Sequence, residues 1–374
     1  MPSFLHSLKK AFFFWQKGTI LGVDIGASSI KVALIEKVEE KIFLRNYGEL
    51  VLGPSVDLSA GQTTNLTPER VSEELSALLK ELKISPTRTF IAIPVSASLL
   101  SVVELPNVSE KEMRSMVPIE ARKYIPVPLN EVSLDWWALP GRLAEKNDAP
   151  KTEGEAPHLE KVEVIIAAIH NEVVKKYESI KRNAHISGAP AQFEIEIFSA
   201  LRAIATKDMP TSLFIDMGAL TTKFALVDGG TIHASHVTAI GGQDITAGIA
   251  RSQGITFAQA ETMKCTFGTV GDNEGRDVLA VAELLLASIM NEAIRFVEGY
   301  EMKHGKKISK VVLVGGASKL LGVEKIINKT FSAVTVERGL PFSQLDTPVF
   351  LNKTLEANGP SYATALGVAL KGLE

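Results

Sequence analysis

Short apolar runs alternate along the chain with longer amphipathic stretches, and this alternation predicts an α/β fold. The apolar runs are bounded by turn-forming residues, which is typical of strands. Two or three of the predicted strands lie between Thr19 and Tyr47. The others lie within residues 90–96, 101–106, 132–139, 162–170, 212–218, 236–242 and 310–316.

Helix signals lie between these strands. Thr67 is a candidate N-cap with Pro68 at the first helical position, and this pattern predicts a helix through Lys83. Ser109 predicts a second helix start, although Pro118 inside that stretch argues against a straight helix.

One hydrophobic pattern occurs twice. VDIGASSIKVALIE at 23–36 and IDMGALTTKFALVD at 215–228 align without a gap and are identical at 6 of 14 positions. The second copy starts about half a chain length after the first. The repeat predicts two related halves.

Each copy has an aspartate at the end of an apolar strand, then a tight turn of small residues, then a lysine. Such turns expose consecutive backbone N–H groups that can cradle phosphate oxygens. Asp24 and Asp216 are candidate ligands of a hydrated Mg²⁺. Lys31 and Lys223 either reach phosphate or point into solvent. The predicted phosphate turns are Gly26, Ala27, Ser28 and Ser29 in the first copy and Gly218, Ala219, Leu220 and Thr221 in the second.

For a single copy, an ordinary hairpin with a glycine turn is the better explanation. Two copies brought together by related halves would grip one polyphosphate from opposite sides.

Two further glycine pairs each join a strand to a helix. Gly315, Gly316, Ala317 and Ser318 offer a flat backbone surface for a base or ribose, or a phosphate contact. Their alternative role is close helix–strand packing. Gly241, Gly242 and Gln243 also meet a helix start, where Asp244 serves at least as a cap.

Composition and charge exclude several function classes. The 374 residues are 45% hydrophobic, with 40 basic and 43 acidic side chains, so no basic surface predicts nucleic-acid binding. The single Cys265 predicts neither a disulfide nor a zinc site and suits a reducing, cytoplasmic compartment. No apolar run is long enough to span a bilayer.

Two segments differ from the rest. Residues 4–15 carry apolar side chains at helical spacing with lysines beside them, which predicts peripheral membrane contact, docking on protein or an unfolded tail. Residues 141–161 are charged and lack aromatics, which predicts a mobile loop.

The set DIGASSIK, DMGALTTK, GGQDIT and VGGASKLLG resembles the phosphate, connecting and adenosine motifs of the actin-like ATPase superfamily. The run EARKYIP at 120–126 is similar to one typical of PilM proteins, the cytoplasmic actin-like proteins of type IV pilus assembly. The resemblance implies an actin-like fold of two pseudo-symmetric halves with a small inserted α+β domain.

The resemblance also implies a division of the chain, after an amphipathic segment at 1–18. The implied parts are subdomain 1A (19–96, 187–210 and 341–374), an inserted subdomain 1C (97–186), subdomain 2A (211–247 and 305–340) and subdomain 2B (248–304).

For the cleft, the resemblance implies ATP or ADP with Mg²⁺, and adenosine beside Gly315. The segment FAQAETMKCTFG is similar to a helix that reaches the ribose or adenine, which implies roles there for Glu261 and Lys264. A solvent-exposed ion pair is the alternative. Gln243, Asp216 and Glu120 are candidates to orient water, and slow or absent hydrolysis is expected because no transition-state arginine is identifiable.

For partners, the resemblance implies the cytoplasmic N-terminal peptide of a PilN-like inner-membrane protein, other pilus assembly proteins and self-association. Glu120, Arg122, Lys123 and Tyr124 are expected near the peptide. An FtsA-like division scaffold, a small-molecule kinase and a relative of the cytoplasmic domain of GspL remain as alternatives.

Overall fold

A computed structural model describes residues 18–85, 88–139, 161–186, 192–270 and 275–374, apart from the side chains of residues 276 and 277. The predicted helix at 4–15 and nearly all of the predicted loop at 141–161 lie outside this range.

The described chain alternates strands and helices, as the hydrophobic pattern predicts. The strands are β1 Thr19–Ile25, β2 Ser29–Val38, β3 Lys41–Val51, β4 Arg88–Ile93, β5 Ser98–Pro106, β6 Val132–Ala138, β7 Lys161–His170, β8 Gln192–Ile195, β9 Ser212–Met217, β10 Thr222–Asp228, β11 Thr231–Thr238, β12 Lys310–Val314 and β13 Thr335–Arg338. The helices are α1 Pro68–Glu81, α2 Glu110–Ala121, α3 Asn171–Asn183, α4 Glu196–Arg202, α5 Gly242–Gln253, α6 Phe257–Phe267, α7 Arg276–His304, α8 Val323–Thr330, α9 Asn352–Asn358 and α10 Ala363–Lys371.

Both predicted helix starts are confirmed at atomic detail. The hydroxyl of Thr67 accepts the N–H of Arg70, and Pro68 opens α1. Ser109 and Glu112 form a reciprocal capping box before α2, which satisfies two N–H groups at the helix start. Pro118 lies inside α2.

Two five-stranded sheets repeat one topology. The first has the order β3-β2-β1-β4-β8 and the second the order β11-β10-β9-β12-β13. In each sheet, the three strands that come first in the chain form an antiparallel meander. The other two strands run parallel to the earliest of these, which is β1 in one sheet and β9 in the other. Asp24 pairs with Lys31 in one sheet as Asp216 pairs with Lys223 in the other. The predicted repeat is therefore a repeat of structure.

A small antiparallel sheet, with the order β5-β7-β6, is inserted into the first half. Its two faces have different partners because side chains alternate along each strand. Val103 and Val164 face α2, where Val117 completes the small core. Val102 and Ile165 face the core shared with the second half.

Helix α3 packs outside this small core. Its Tyr177 and Ile180 join Leu75 of α1 in the core of the first sheet. The predicted limits of the inserted subdomain, 97–186, stay a prediction, and α3 connects that segment to the first half.

Among the helices that the structure describes, none combines the length and apolarity that crossing a bilayer requires.

Candidate functional site

A cleft of about 640 Å³ separates the two halves. Both copies of the repeated motif line it, together with residues that lie far apart in the sequence. The lining includes most of the predicted positions: Asp24, Gly26, Ala27, Ser28, Ser29, Lys31, Asp216, Gly218, Ala219, Leu220, Thr221, Lys223, Gly242, Gln243, Glu261, Lys264, Gly315, Gly316 and Ala317.

The two turns have matching geometry. The N–H of Gly26 donates to the carbonyl of Ser29 at 3.0 Å, and the N–H of Gly218 donates to that of Thr221 at 2.9 Å. Among the described residues, the N–H groups inside these turns have no backbone partner. They belong to Ala27 and Ser28 in the first turn and to Ala219 and Leu220 in the second. Each turn therefore presents two donors suited to an anion.

The lysines of the two copies are used differently, and neither points into solvent. Lys31 donates to the hydroxyl of Ser29 at 2.5 Å and lies 3.0 Å from the carboxylate of Glu49. Glu49 is its cross-strand neighbour on β3. Burial opposes ionisation of Glu49, but the charge of Lys31 lowers its pKa.

Lys223 has no acid at the equivalent position, because its neighbour on β11 is Val237. Its ammonium instead contacts Asp216 at 3.0 Å and Glu196, from the other half, at 2.9 Å. Burial acts to lower the pKa of Lys223, but the charges of Asp216 and Glu196 outweigh it and raise that pKa. The lysine therefore stays charged while it links the halves.

Asp24 differs from its counterpart Asp216. Burial raises the pKa of Asp24 to about 6, and the nearby charge of Lys31 partly opposes this rise. Within the described part of the chain, no side chain donates a hydrogen bond to its carboxylate. The two aspartates, equivalent in sequence, therefore have unequal surroundings.

Glu196 is the functional candidate that sequence reasoning missed. It starts α4 directly after β8, and its carboxylate also accepts the N–H of Val95 at 2.9 Å. An acid where a short apolar strand ends is the signal that identified Asp24 and Asp216. The segment FEIEIFSALRAIA carries the same signal.

The glycine pair at the start of α5 packs against the second turn and hydrogen-bonds to it. The N–H groups of Gly242 and Gln243 donate to the carbonyls of Gly218 and Ala219, each at 2.9 Å. These two N–H groups are therefore already engaged by the turn. A β-carbon on Gly241 would lie 2.4 Å from the carbonyl oxygen of Ala219, so the close approach requires glycine.

Gln243 also reaches across the cleft. Its side-chain oxygen accepts hydrogen bonds from the hydroxyl of Thr63 at 2.6 Å and from the N–H of Thr63 at 3.3 Å. The next residue, Thr64, donates its N–H to the carbonyl of Ala27 at 2.8 Å. The segment carrying Thr63 and Thr64 thus contacts both turn regions.

Glu261 and Lys264 lie 2.7 Å apart and line the cleft, so they are not a solvent-exposed pair. Lys264 donates to the carbonyl of Gly242 and to the hydroxyl of Thr246. Thr246 in turn donates to Glu261 at 2.5 Å. Their role at a ribose or adenine stays a prediction.

Gly315 and Ser318 belong to a hydrogen-bonded turn that directly follows β12. The N–H of Gly315 donates to the carbonyl of Pro360, and the buried Ser318 hydroxyl donates back to Gly315. A short 3₁₀ turn at Gly316–Lys319 comes before the helix, which begins only at Val323. The motif therefore presents a turn, and not a helix N-terminus, to the cleft.

The fit of a divalent cation differs between the predicted ligands Asp24 and Asp216. The carboxylate of Asp24 is available, whereas that of Asp216 already accepts the ammonium of Lys223. No group of three or more His, Cys, Asp or Glu side chains within the described ranges is arranged to hold a metal ion. The predicted metal role of Asp24 and Asp216 stays a prediction.

A second concavity of about 380 Å³, here called the insert groove, lies where the small sheet meets both halves. Apolar and aromatic side chains dominate its wall. They are Leu100, Val102, Ile165, Phe198, Ile232, Phe296 and Tyr300, and Gly299 leaves a gap between the last two.

The residues predicted near a partner peptide do not line the insert groove. Glu120 is in α2, its carboxylate is 2.8 Å from the ammonium of Lys123, and it does not line the cleft. Helix α2 covers the face of the small sheet opposite the insert groove. Tyr124, just after α2, is exposed.

Comparison with known proteins identifies a family for nearly the whole chain. The family described as Type IV pilus assembly protein PilM matches residues 22–373. A chain of a PilM-PilN type IV pilus biogenesis complex superposes with a TM-score of 0.77 and 26% identity, covering 95% of this chain and 98% of that one.

Cell division proteins are more distant relatives. FtsA of Agrobacterium fabrum is 23% identical over an alignment of 233 residues, and the match covers 56% of this chain and 51% of that protein. The chain thus spans about half the length of this relative. FtsA of Neisseria meningitidis serogroup B is 26% identical over 361 residues, covering 87% of this chain and 84% of that protein.

The fold extends beyond these relatives. MreB 5 of Spiroplasma citri, described as bound to AMPPNP, has a TM-score of 0.50 at 12% identity, covering 96% of this chain and 97% of that one. The chain has the actin-like ATPase fold, with two mixed five-stranded sheets and a small antiparallel sheet. The predicted fold class is confirmed.

Proposed function

The chain belongs to the family of the type IV pilus assembly protein PilM, and from this premise we propose that it is a nucleotide-binding scaffold of type IV pilus assembly. ATP or ADP binds in the cleft between the halves. The cytoplasmic N-terminal peptide of a PilN-like inner-membrane protein binds in the insert groove. The chain lies in the cytoplasm and reaches the inner membrane through that partner.

The observation that carries the nucleotide proposal is the pair of matched turns facing one cleft. Each turn offers two backbone donors, and donors on opposite walls suit the phosphates of one nucleotide. MreB 5, a protein of the same fold, is described as bound to AMPPNP and to ADP.

The nucleotide acts as a structural element or a switch, and hydrolysis is slow or absent. Asp216 and Glu196 both accept hydrogen bonds from the Lys223 ammonium, so a water at this pair would compete with the ammonium for the carboxylates. The adenosine lies on the side of Glu261, Lys264 and Gly315.

Leu220→Glu tests the nucleotide proposal. Leu220 is 47% exposed inside the second turn, and a carboxylate there would repel phosphate. We expect ATP affinity measured by calorimetry to fall at least about tenfold. Leu284→Glu is the matched control, because Leu284 is 69% exposed on α7 and does not line the cleft. Equal ATP affinity in both variants would refute the proposed site.

The partner proposal rests on the resemblance to a chain of a PilM-PilN complex and on the apolar wall of the insert groove. A short apolar peptide segment would bury its side chains there at little cost to the free protein, since the groove is already formed.

Gly299→Trp tests the partner proposal. A β-carbon on Gly299 meets nothing within 4 Å, so an indole would fill the groove without a backbone clash. Binding of a synthetic PilN N-terminal peptide, measured by fluorescence anisotropy, should weaken at least about tenfold. Gly299→Ala leaves the groove open and should bind normally. If Tyr124→Ala weakens binding and Gly299→Trp does not, the peptide binds at the α2 side.

An FtsA-like division scaffold is the second candidate, favoured by the match to the Neisseria protein over most of both chains. A chain that binds nucleotide but no PilN N-terminal peptide would favour this second function.

A further inference from the structure

Lys223 occupies an unusual place for a cleft lysine. Its ammonium lies between a carboxylate of its own half and a carboxylate of the other half, at 3.0 Å from Asp216 and 2.9 Å from Glu196. All three side chains are nearly buried. Asp24 is close enough for its charge to interact with both carboxylates and with the lysine.

The sequence explains why only one copy of the repeat has this arrangement. Lys31 has Glu49 as its cross-strand neighbour and pairs with it, so Asp24 is left without the lysine of its own copy. Lys223 has Val237 in that position and turns toward the acids instead. Because Val237 on β11 stands where β3 has an acid, Lys223 and Lys31 contact different carboxylates.

A bound divalent cation and a lysine ammonium both supply positive charge that reduces the repulsion between neighbouring carboxylates. Three buried carboxylates without a counter-charge repel one another and any phosphate that approaches. Here the counter-charge is covalently part of the chain, and it contacts the carboxylate that was predicted to be a metal ligand. The ammonium takes the Oδ2 oxygen of Asp216, and its positive charge opposes a hydrated Mg²⁺ at the same carboxylate.

We propose that the Lys223 ammonium is the cation that this cleft supplies at the Asp216–Glu196 pair, so that nucleotide phosphates bind there without a divalent metal. This inference rests on the proposed nucleotide function. Lys223 then determines cation specificity at this pair: its charge makes nucleotide binding depend less on Mg²⁺ than it would if the two carboxylates had no ammonium between them.

The test compares nucleotide affinity with excess Mg²⁺ and with EDTA, by calorimetry on the nucleotide-free full chain. We expect the natural chain to bind ADP with less than about a threefold difference between the two conditions, and Lys223→Met to lose at least about tenfold in EDTA and recover with Mg²⁺. Lys310→Met is the control, because Lys310 pairs with Glu337 and does not line the cleft. Its Mg²⁺ dependence should equal that of the natural chain.

A second measurement needs no nucleotide. Electron paramagnetic resonance of added Mn²⁺ should show no ion bound at Asp216 in the natural chain. In Lys223→Met, one bound Mn²⁺ is expected, and an added Asp216→Asn substitution should remove it. If Lys223→Met does not fold, Lys223→Met with Glu196→Gln removes one negative charge along with the positive one.

The outcomes separate the inference from the proposed function. Tenfold weaker nucleotide binding by the natural chain in EDTA, or a Mn²⁺ ion that Asp216→Asn releases from otherwise natural protein, would overturn the inference and leave the nucleotide function intact. No nucleotide binding under either condition refutes the proposed function. The Mn²⁺ measurement then still decides whether Lys223 takes the place of a metal.

Discussion

At the scale of single residues, Gly315 shows how closely the backbone approaches the charged centre of the cleft. A β-carbon there would lie 2.4 Å from a carboxylate oxygen of Asp216 and 2.4 Å from the carbonyl oxygen of Met217. Its φ of 86° also lies in the region that favours glycine. The position therefore has two independent reasons to exclude a side chain.

We expect Gly315→Ala to lower the free energy of unfolding by about 3 kcal/mol, measured by urea denaturation, since it combines backbone strain with a clash against fixed atoms. Gly316→Ala is the control next to it, because a β-carbon there meets nothing within 4 Å. That variant should change stability by less than about 1 kcal/mol. Similar losses in both would mean that the adjacent turn, and not the approach to Asp216, sets the requirement for glycine.

At the scale of elements, the sequence predicted the helix caps and turns, which are determined by residues close together in the chain. The caps at Thr67 and Ser109 were predictable because each is satisfied within its own first helical turn. The two turns of the repeated motif were predictable for the same reason, with the repeat as added support, and their phosphate-binding role stays a prediction. The fold class followed from the motif set and from the alternation of strands and helices.

What the sequence did not disclose depends on which elements meet in space. Glu196 reaches Lys223 because β8 ends beside the second half, and no local pattern indicates that approach. The ion pair between Lys31 and Glu49 likewise depends on the register between β2 and β3. Nor does a local pattern show that α2 and the insert groove lie on opposite faces of the small sheet, and the expectation that a partner binds near α2 stays a prediction.

At the scale of the whole molecule, side-chain contacts join the two halves across the cleft, and two of those that the structure describes, here called ties, lie beside the repeated turns. Lys223 and Glu196 form one tie at its floor. Gln243 and Thr63 form the other, and Thr64 continues from it to the first turn at Ala27. A nucleotide held between the turns would be enclosed by both ties, so its release requires at least one of them to open.

Thr63→Val tests whether the second tie controls release. Valine keeps the shape of threonine but removes the hydroxyl that donates to Gln243 at 2.6 Å. Loss of one such hydrogen bond costs about 1 kcal/mol, so a fluorescent ADP should dissociate about five times faster in a stopped-flow chase.

Thr63→Ser keeps the donor and should dissociate at the natural rate, which separates the hydrogen bond from the packing of the methyl group. Equal release from the valine variant and the natural chain would mean that Thr63 does not limit opening. The Lys223–Glu196 pair at the floor would then be the tie that holds the halves closed, because its buried opposite charges lose more on separation than a single neutral hydrogen bond does.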